Sequence, residues 1–202
     1  MGSEPVQQSG RLARADLMSL EQYSTARKEF RARVLEHKRD RMVSIGPNTT
    51  WAFEDRLTIQ YQVQERLRVE RIFESAGIQD ELDAYNPLVP DGSNWKVTFL
   101  IEFPDPVERK TRLASLKGVE DRCWVQVTGC DRVFAIADED LERENEEKTS
   151  SVHFLRFELA PDMVAKAKSG AGISVGIDHP NYNYQVSPVS AAQRASLAAD
   201  LR

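Results

Sequence analysis

The chain has 202 residues, 41% of them hydrophobic and 29% charged, with a formal net charge of -5 at pH 7. That length and balance fit one soluble domain with a buried core. The negative charge argues against a protein that mainly coats nucleic acid or an anionic membrane, and no apolar run approaches the roughly 20 residues of a membrane helix.

Residues 1–15 are polar and aperiodic and read as a disordered tail, with no apolar segment of the kind a secretory signal carries. A single domain is expected over residues 16–187, followed by a C-terminal helix or tail over 188–202. Ser19-Leu20-Glu21-Gln22 fits a capping box. It opens a helix to about Asp40, with Tyr23, Ala26, Phe30, Val34 and Leu35 on one stripe. Arg27, Lys28, Arg31, Arg33, Lys38, Arg39 and Arg41 outnumber Glu29, Glu36 and Asp40 there, which reads as a solvated face that also exposes His37. With Phe30 as its only aromatic, this segment is a poor nucleic-acid surface.

Met42–Ile45 and Thr49–Phe53 read as a β-hairpin about Gly46-Pro47-Asn48. The next stretch is contested. Leu57, Ile59, Tyr61 and Val63 alternate with polar residues like a strand, yet nothing between Asp55 and Ala76 would break a helix and Asp55 is a good cap. The preferred reading is one long helix over residues 55–76, apolar all round and therefore central, ended by Gly77 and followed by a short helix from Gln79 to Tyr85.

Trp95–Phe103 reads as a strand, Asp105 and Pro106 open a helix to about Lys117, and residues 122–128 and 132–137 form a second hairpin. The acidic run from Asp138 to Glu147 reads as solvated. Ser151–Leu159, Ile173–Ile177 and Tyr182–Val186 are further strands, Pro161 opens a helix closed by Gly170, and Ser190–Leu201 looks helical. Hairpins outnumber βαβ units. The expected fold is therefore α+β, a single domain whose mainly antiparallel sheet packs around the long central helix.

The chain has no glycine-rich phosphate loop, nucleophile elbow, paired-cysteine zinc motif or H-E-x-x-H. Cys123 and Cys130 are too few for a disulfide framework, so a reducing cytoplasmic setting is expected; Cys123, on a strand face with Val125 and Val127, reads as a core residue, and Cys130 is given no cationic neighbour by the sequence. His153 and His179, the latter beside Asp178, lie near strand ends. Together with a carboxylate they could hold zinc or iron, although a core histidine with one hydrogen bond is the simpler reading. Gln60, Gln64, Arg68 and Arg71 share a flank of the central helix. They are either internal polar wiring or the wall of a pocket for a small anionic ligand.

The runs FEDRLTIQYQVQE, RIFESAGIQDELDAYNPLVPDG, RCWVQVTG, AIADEDLERE, KTSSVHFLRFEL and VGIDHPNY resemble the bacterial domain-of-unknown-function family 3501, over roughly residues 12–187. The resemblance brings no catalytic residues. Members of that family tend to be encoded beside rubrerythrin-like and iron–sulfur-cluster oxidoreductase proteins. The resemblance thus implies an accessory protein that works through a redox or iron–sulfur protein partner.

Overall fold

A computed structural model describes residues 10–202; residues 1–9 of the expected tail lie outside the described residues. In chain order the elements are α1 (Leu20–Arg39), β1 (Met42–Ser44), β2 (Thr49–Glu54), α2 (Arg56–Glu70), α3 (Ser75–Tyr85), β3 (Asn94–Ile101) and α4 (Pro106–Ser115). They continue with β4 (Cys123–Val127), β5 (Val133–Phe134), β6 (Ile136–Ala137), β7 (Val152–Glu158), α5 (Pro161–Lys168), β8 (Ile173–His179), β9 (Tyr182–Val186) and α6 (Ala191–Ala198).

Two sheets result, ordered β1-β2-β3-β7-β6 and β5-β4-β8-β9, and every pairing is antiparallel. Period-2 patterning directs the packing. In β3, Trp95, Val97, Phe99 and Ile101 are buried while Lys96, Thr98 and Leu100 on the other face are less covered. The inward residues of both sheets form one cluster, which Leu113 of α4, Met163 of α5 and Leu197 of α6 join. The sheets are also linked covalently at one edge. β5 pairs with β4 of one sheet, β6 pairs with β7 of the other, and Ala135 between them donates its N–H to Cys123 O at 2.9 Å. At the hairpin between β1 and β2, Gly46 has φ 71, and a Cβ there would sit 2.6 Å from the Tyr182 hydroxyl of β9. Only glycine fits that turn.

The α+β class and the antiparallel sheets agree with the sequence, but the long central helix is not what forms. α2 covers Arg56–Glu70 and belongs to a helical layer on the outer face of the five-stranded sheet. Its start is a capping box, with Asp55 accepting from Thr58 N at 2.9 Å and Thr58 Oγ1 accepting from Asp55 N at 2.9 Å. Its two apolar flanks explain the strand-like alternation. Ile59, Val63 and Leu67 pack with Leu82 of α3, while Leu57 and Tyr61 pack with Tyr23, Phe30 and Val34 of α1.

The helix ends without glycine. Arg71 adopts a left-handed conformation at φ 55, Ile72 N donates to Leu67 O at 2.9 Å, and Ile72 and Leu67 share an apolar cluster. That is a Schellman ending. Gly77, read from sequence as the stop, lies inside α3, and Val69 and Phe73 are exposed. Two further corrections concern the basic stretch. Arg41 is only 2% exposed rather than solvated, and His37 meets Asp55 at 2.5 Å instead of standing free.

Candidate metal centre

The inner face of β7 carries His153, opposite Phe99 of β3, with the two ring centroids 5.8 Å apart. The ring is fully buried. A buried imidazole must have both nitrogens answered. Nδ1 donates to Asp138 Oδ2 at 2.6 Å. Nε2 faces a ring of oxygens, with Thr149 Oγ1 at 3.0 Å, Ser150 O at 3.1 Å and Glu120 Oε2 at 4.0 Å. Glu120 Oε2 lies 3.5 Å from Thr149 Oγ1.

Each partner arrives from a different piece of chain. Asp138 follows β6 directly and takes a left-handed conformation at φ 48, which turns its carboxylate back under β7. There its Oδ1 accepts from Phe154 N at 2.9 Å and from Arg143 Nη1 at 3.1 Å. Glu120 begins the short turn Glu120–Arg122 ahead of β4. Thr149 is held by its N–H to Leu113 O at 3.2 Å and by a bridge to Glu144.

Among the described residues Glu120, Asp138 and His153 form a group whose ligand atoms all lie within 4.8 Å of one another. Burial raises the Glu120 carboxyl above the usual carboxylate range, and the nearby His153 opposes that rise. The group paired with it that can carry a positive charge is the His153 ring, whose Nε2 lies 4.0 Å from Glu120 Oε2. The arrangement is the one a ligating histidine needs, with one ring nitrogen fixed by a carboxylate and the other turned toward oxygen donors.

The remaining sequence candidates are not part of this group. Both nitrogens of His179 are used by backbone, Nδ1 accepting from Asn181 N at 3.1 Å and Nε2 donating to Lys117 O at 3.0 Å. Asp178 is exposed and accepts from the Asn183 amide at 3.3 Å. Gln60 donates to Asp16 O at 2.6 Å, and Gln64 bonds both N and O of Met18, at 2.6 and 3.3 Å. Arg68 pairs with Glu65 at 3.2 Å, and Arg71 is the helix stop. Gln60 and Gln64 thus tie the segment before α1 to α2, Arg68 pairs within α2, and Arg71 terminates it.

Cys123 is buried and donates to Val119 O, and burial raises its thiol well above the ordinary range. Cys130 does have a cationic neighbour, Lys166 Nζ at 3.4 Å. Sequence reasoning missed Glu120 and Asp138. Asp138 headed a run that looked solvated, and no local pattern marks Glu120, which meets His153 only through the sheet packing.

No helix among the described residues is long and apolar enough to cross a membrane. Among curated proteins none matches this sequence. A crystal structure of a protein of unknown function from Burkholderia pseudomallei is similar over 95% of this chain and 99% of that chain, with 52% identity and a TM-score of 0.90. The family described as "Protein of unknown function (DUF3501)" matches residues 11–201, and the chain belongs to it.

Proposed function

We propose that this protein binds a divalent first-row metal ion, iron(II) or zinc, at His153. The observation that carries the reading is the oxygen set before Nε2, namely Glu120, Thr149 and Ser150 O, with Asp138 on Nδ1. Ligand bonds of about 2.0–2.2 Å place neighbouring donor atoms roughly 3.0–3.5 Å apart, and three of the four separations given above are 3.0, 3.1 and 3.5 Å. Imidazole with carboxylate oxygen suits iron and zinc. A bound cation would also offset the burial that raises the Glu120 carboxyl.

The test is metal analysis of untagged protein after growth with iron and zinc. Near-stoichiometric metal is expected, falling to below about a tenth in Glu120→Gln and His153→Gln. Glu120→Gln keeps the shape and removes a charge that burial disfavours, so its loss of metal is separable from loss of fold. Metal content well below stoichiometric and unchanged in both variants would overturn the reading.

A second reading is an accessory role beside a redox protein of the rubrerythrin-like or iron–sulfur kind, as the family resemblance implies. It is favoured by Val69 and Phe73, which are 61% and 71% exposed at the corner between α2 and α3. Exposed aromatic side chains of this size contribute most when covered by a partner. Pull-down at native abundance should recover a redox protein with the unaltered chain and lose it with Phe73→Asp. Recovery of none rules this reading out.

A further inference from the structure

The outer face of the five-stranded sheet carries an amine that its neighbours leave free. Lys96 of β3 stands between Glu54 of β2 and Arg156 of β7 in the strand register. Both are engaged elsewhere. Glu54 accepts from Thr58 Oγ1 at 2.5 Å and from Thr98 Oγ1 at 2.7 Å. Arg156 holds Glu139 at 2.9 and 2.8 Å and Glu158 at 2.6 Å. Asp91 accepts from Ser93 N and Ser93 Oγ, both at 3.0 Å. Among the described residues Lys96 makes no hydrogen bond or ion pair of its own. Burial, and then Arg156, lower its affinity for a proton below that of an ordinary lysine, although Glu139, Asp91 and Glu158 pull the other way.

Lys96 lines two cavities. One, of about 260 Å³, is walled by Tyr85, Leu88 and Phe154. The other, of about 640 Å³, is lined by Asn86 and Asn94. A lysine desolvated against apolar walls and set beside a second cation is the arrangement that makes an amine nucleophilic toward a carbonyl carbon. The surrounding charges narrow the substrate. Against Lys96 and Arg156 stand Glu139, Glu158 and Asp91, so no positive charge is left over to hold an anion. An uncharged carbonyl compound needs none, and an apolar body on it suits the walls. The protonated imine that would result keeps its positive charge on the same nitrogen, among the same carboxylates.

We infer that Lys96 is a nucleophile that forms a reversible imine with a small uncharged aldehyde, whose apolar part lies between Tyr85, Leu88 and Phe154. The amine, after giving a proton to solvent, adds to the carbonyl carbon while the C=O electron pair moves to oxygen. The carbinolamine then expels that oxygen as water and the C=N bond forms. The step is a condensation and needs neither oxidant nor reductant. The site shares no residue with the metal centre proposed above, and its failure would leave that reading untouched.

The test treats the full chain with hexanal, acetaldehyde or glyoxylate, with cyanoborohydride to reduce any imine to a stable amine, followed by peptide mapping by mass spectrometry. Hexanal should mark Lys96 at least about tenfold faster than the exposed Lys28 and Lys110. That preference should shrink with acetaldehyde, which lacks the apolar body, and with glyoxylate, which brings a negative charge. In Lys96→Arg the fast adduct should vanish while Lys28 and Lys110 are marked as before, and circular dichroism confirms that the fold persists. The mapping of the unaltered chain decides the matter even if that variant does not fold. Lys96 marked no faster than Lys28, a preference as large with glyoxylate as with hexanal, or a fast adduct that survives in folded Lys96→Arg would each overturn the inference.

Discussion

Arg41 and Asp200 stand 159 positions apart in the chain and meet at 2.6 Å, with the guanidinium 2% exposed. The same guanidinium donates to Phe53 O at 2.9 Å, Glu54 O at 3.1 Å and Ser196 Oγ at 3.1 Å, and lies 3.4 Å from Asp55. It therefore fastens the C-terminal helix to β2 and to the cap of α2. Arg41→Leu leaves those acceptors and a buried carboxylate unpaired, so a loss of about 3–5 kcal/mol is expected in urea unfolding. A loss under about 1 kcal/mol would mean that water takes over these contacts.

Two carboxyls flank that arginine and respond in opposite directions. Burial pushes Asp200 up to about 6, against the pull of Arg41. Asp55 is also penalised by burial, but Arg41, the Thr58 N–H and His37 together hold it below the usual range. An acid that holds its proton more tightly when folded favours the folded state at low pH. For Asp200 that contribution, about 3 kcal/mol, is complete below about pH 4 and lost as pH rises through about 6. Asp200→Asn should flatten the stability profile between about pH 4 and 6. Urea midpoints across that range check this, and an unchanged slope would refute it.

Glu65 behaves in the opposite sense. Arg27 first, then Tyr23 and Arg68, hold its carboxyl down at about 2. Its contribution is present above about pH 4.5 and disappears as pH falls toward 2. Glu65→Gln should therefore destabilise the protein at neutral pH and change little at about pH 2.5. Acid titration followed by circular dichroism reads the difference.

At the end of α2 a better residue than the natural one is available. Arg71 holds a left-handed conformation at φ 55, which costs an L-residue about 1–2 kcal/mol that glycine does not incur. Arg71→Gly should raise stability by about 1 kcal/mol after the entropy of the unfolded chain is counted. Thermal unfolding decides it, and a lower melting temperature would show that the Arg71 side chain contributes more than its backbone costs.

The C-terminal helix is part of the main core. Leu197 is fully buried, and its carbonyl accepts from Trp95 Nε1 at 2.9 Å. Leu197→Ala should cost about 2–5 kcal/mol. Exposed-face Ala192→Ser, on the same helix, should change stability by less than about 0.5 kcal/mol.

Features encoded by nearest neighbours were legible in the sequence. The alternation Trp95, Val97, Phe99, Ile101 announces β3, and Ser19 with Gln22 announces α1. The break at Arg71 was not legible, because the usual glycine signal is missing there and a misleading one stands at Gly77. The centre around His153 was half legible. The parity of His153 with Leu155 and Phe157 put it on the inner face, but Glu120 and Asp138 reach it only because β4, β6 and β7 come together in three dimensions. His179 was singled out for its turn, and the turn is what occupies it, since both ring nitrogens serve nearby backbone.

The segment 133–137 has a consequence for how the molecule comes apart. Its first half is bonded to one sheet, its second half to the other, and Asp138 follows with its carboxylate on His153. Neither sheet can slide or peel away without stretching these five residues and drawing Asp138 off the imidazole. The two layers are thereby geared into one opening unit. In amide exchange, Ala135, Val125 and Leu155 would be released in a single step, the same step that dismantles the surroundings of His153.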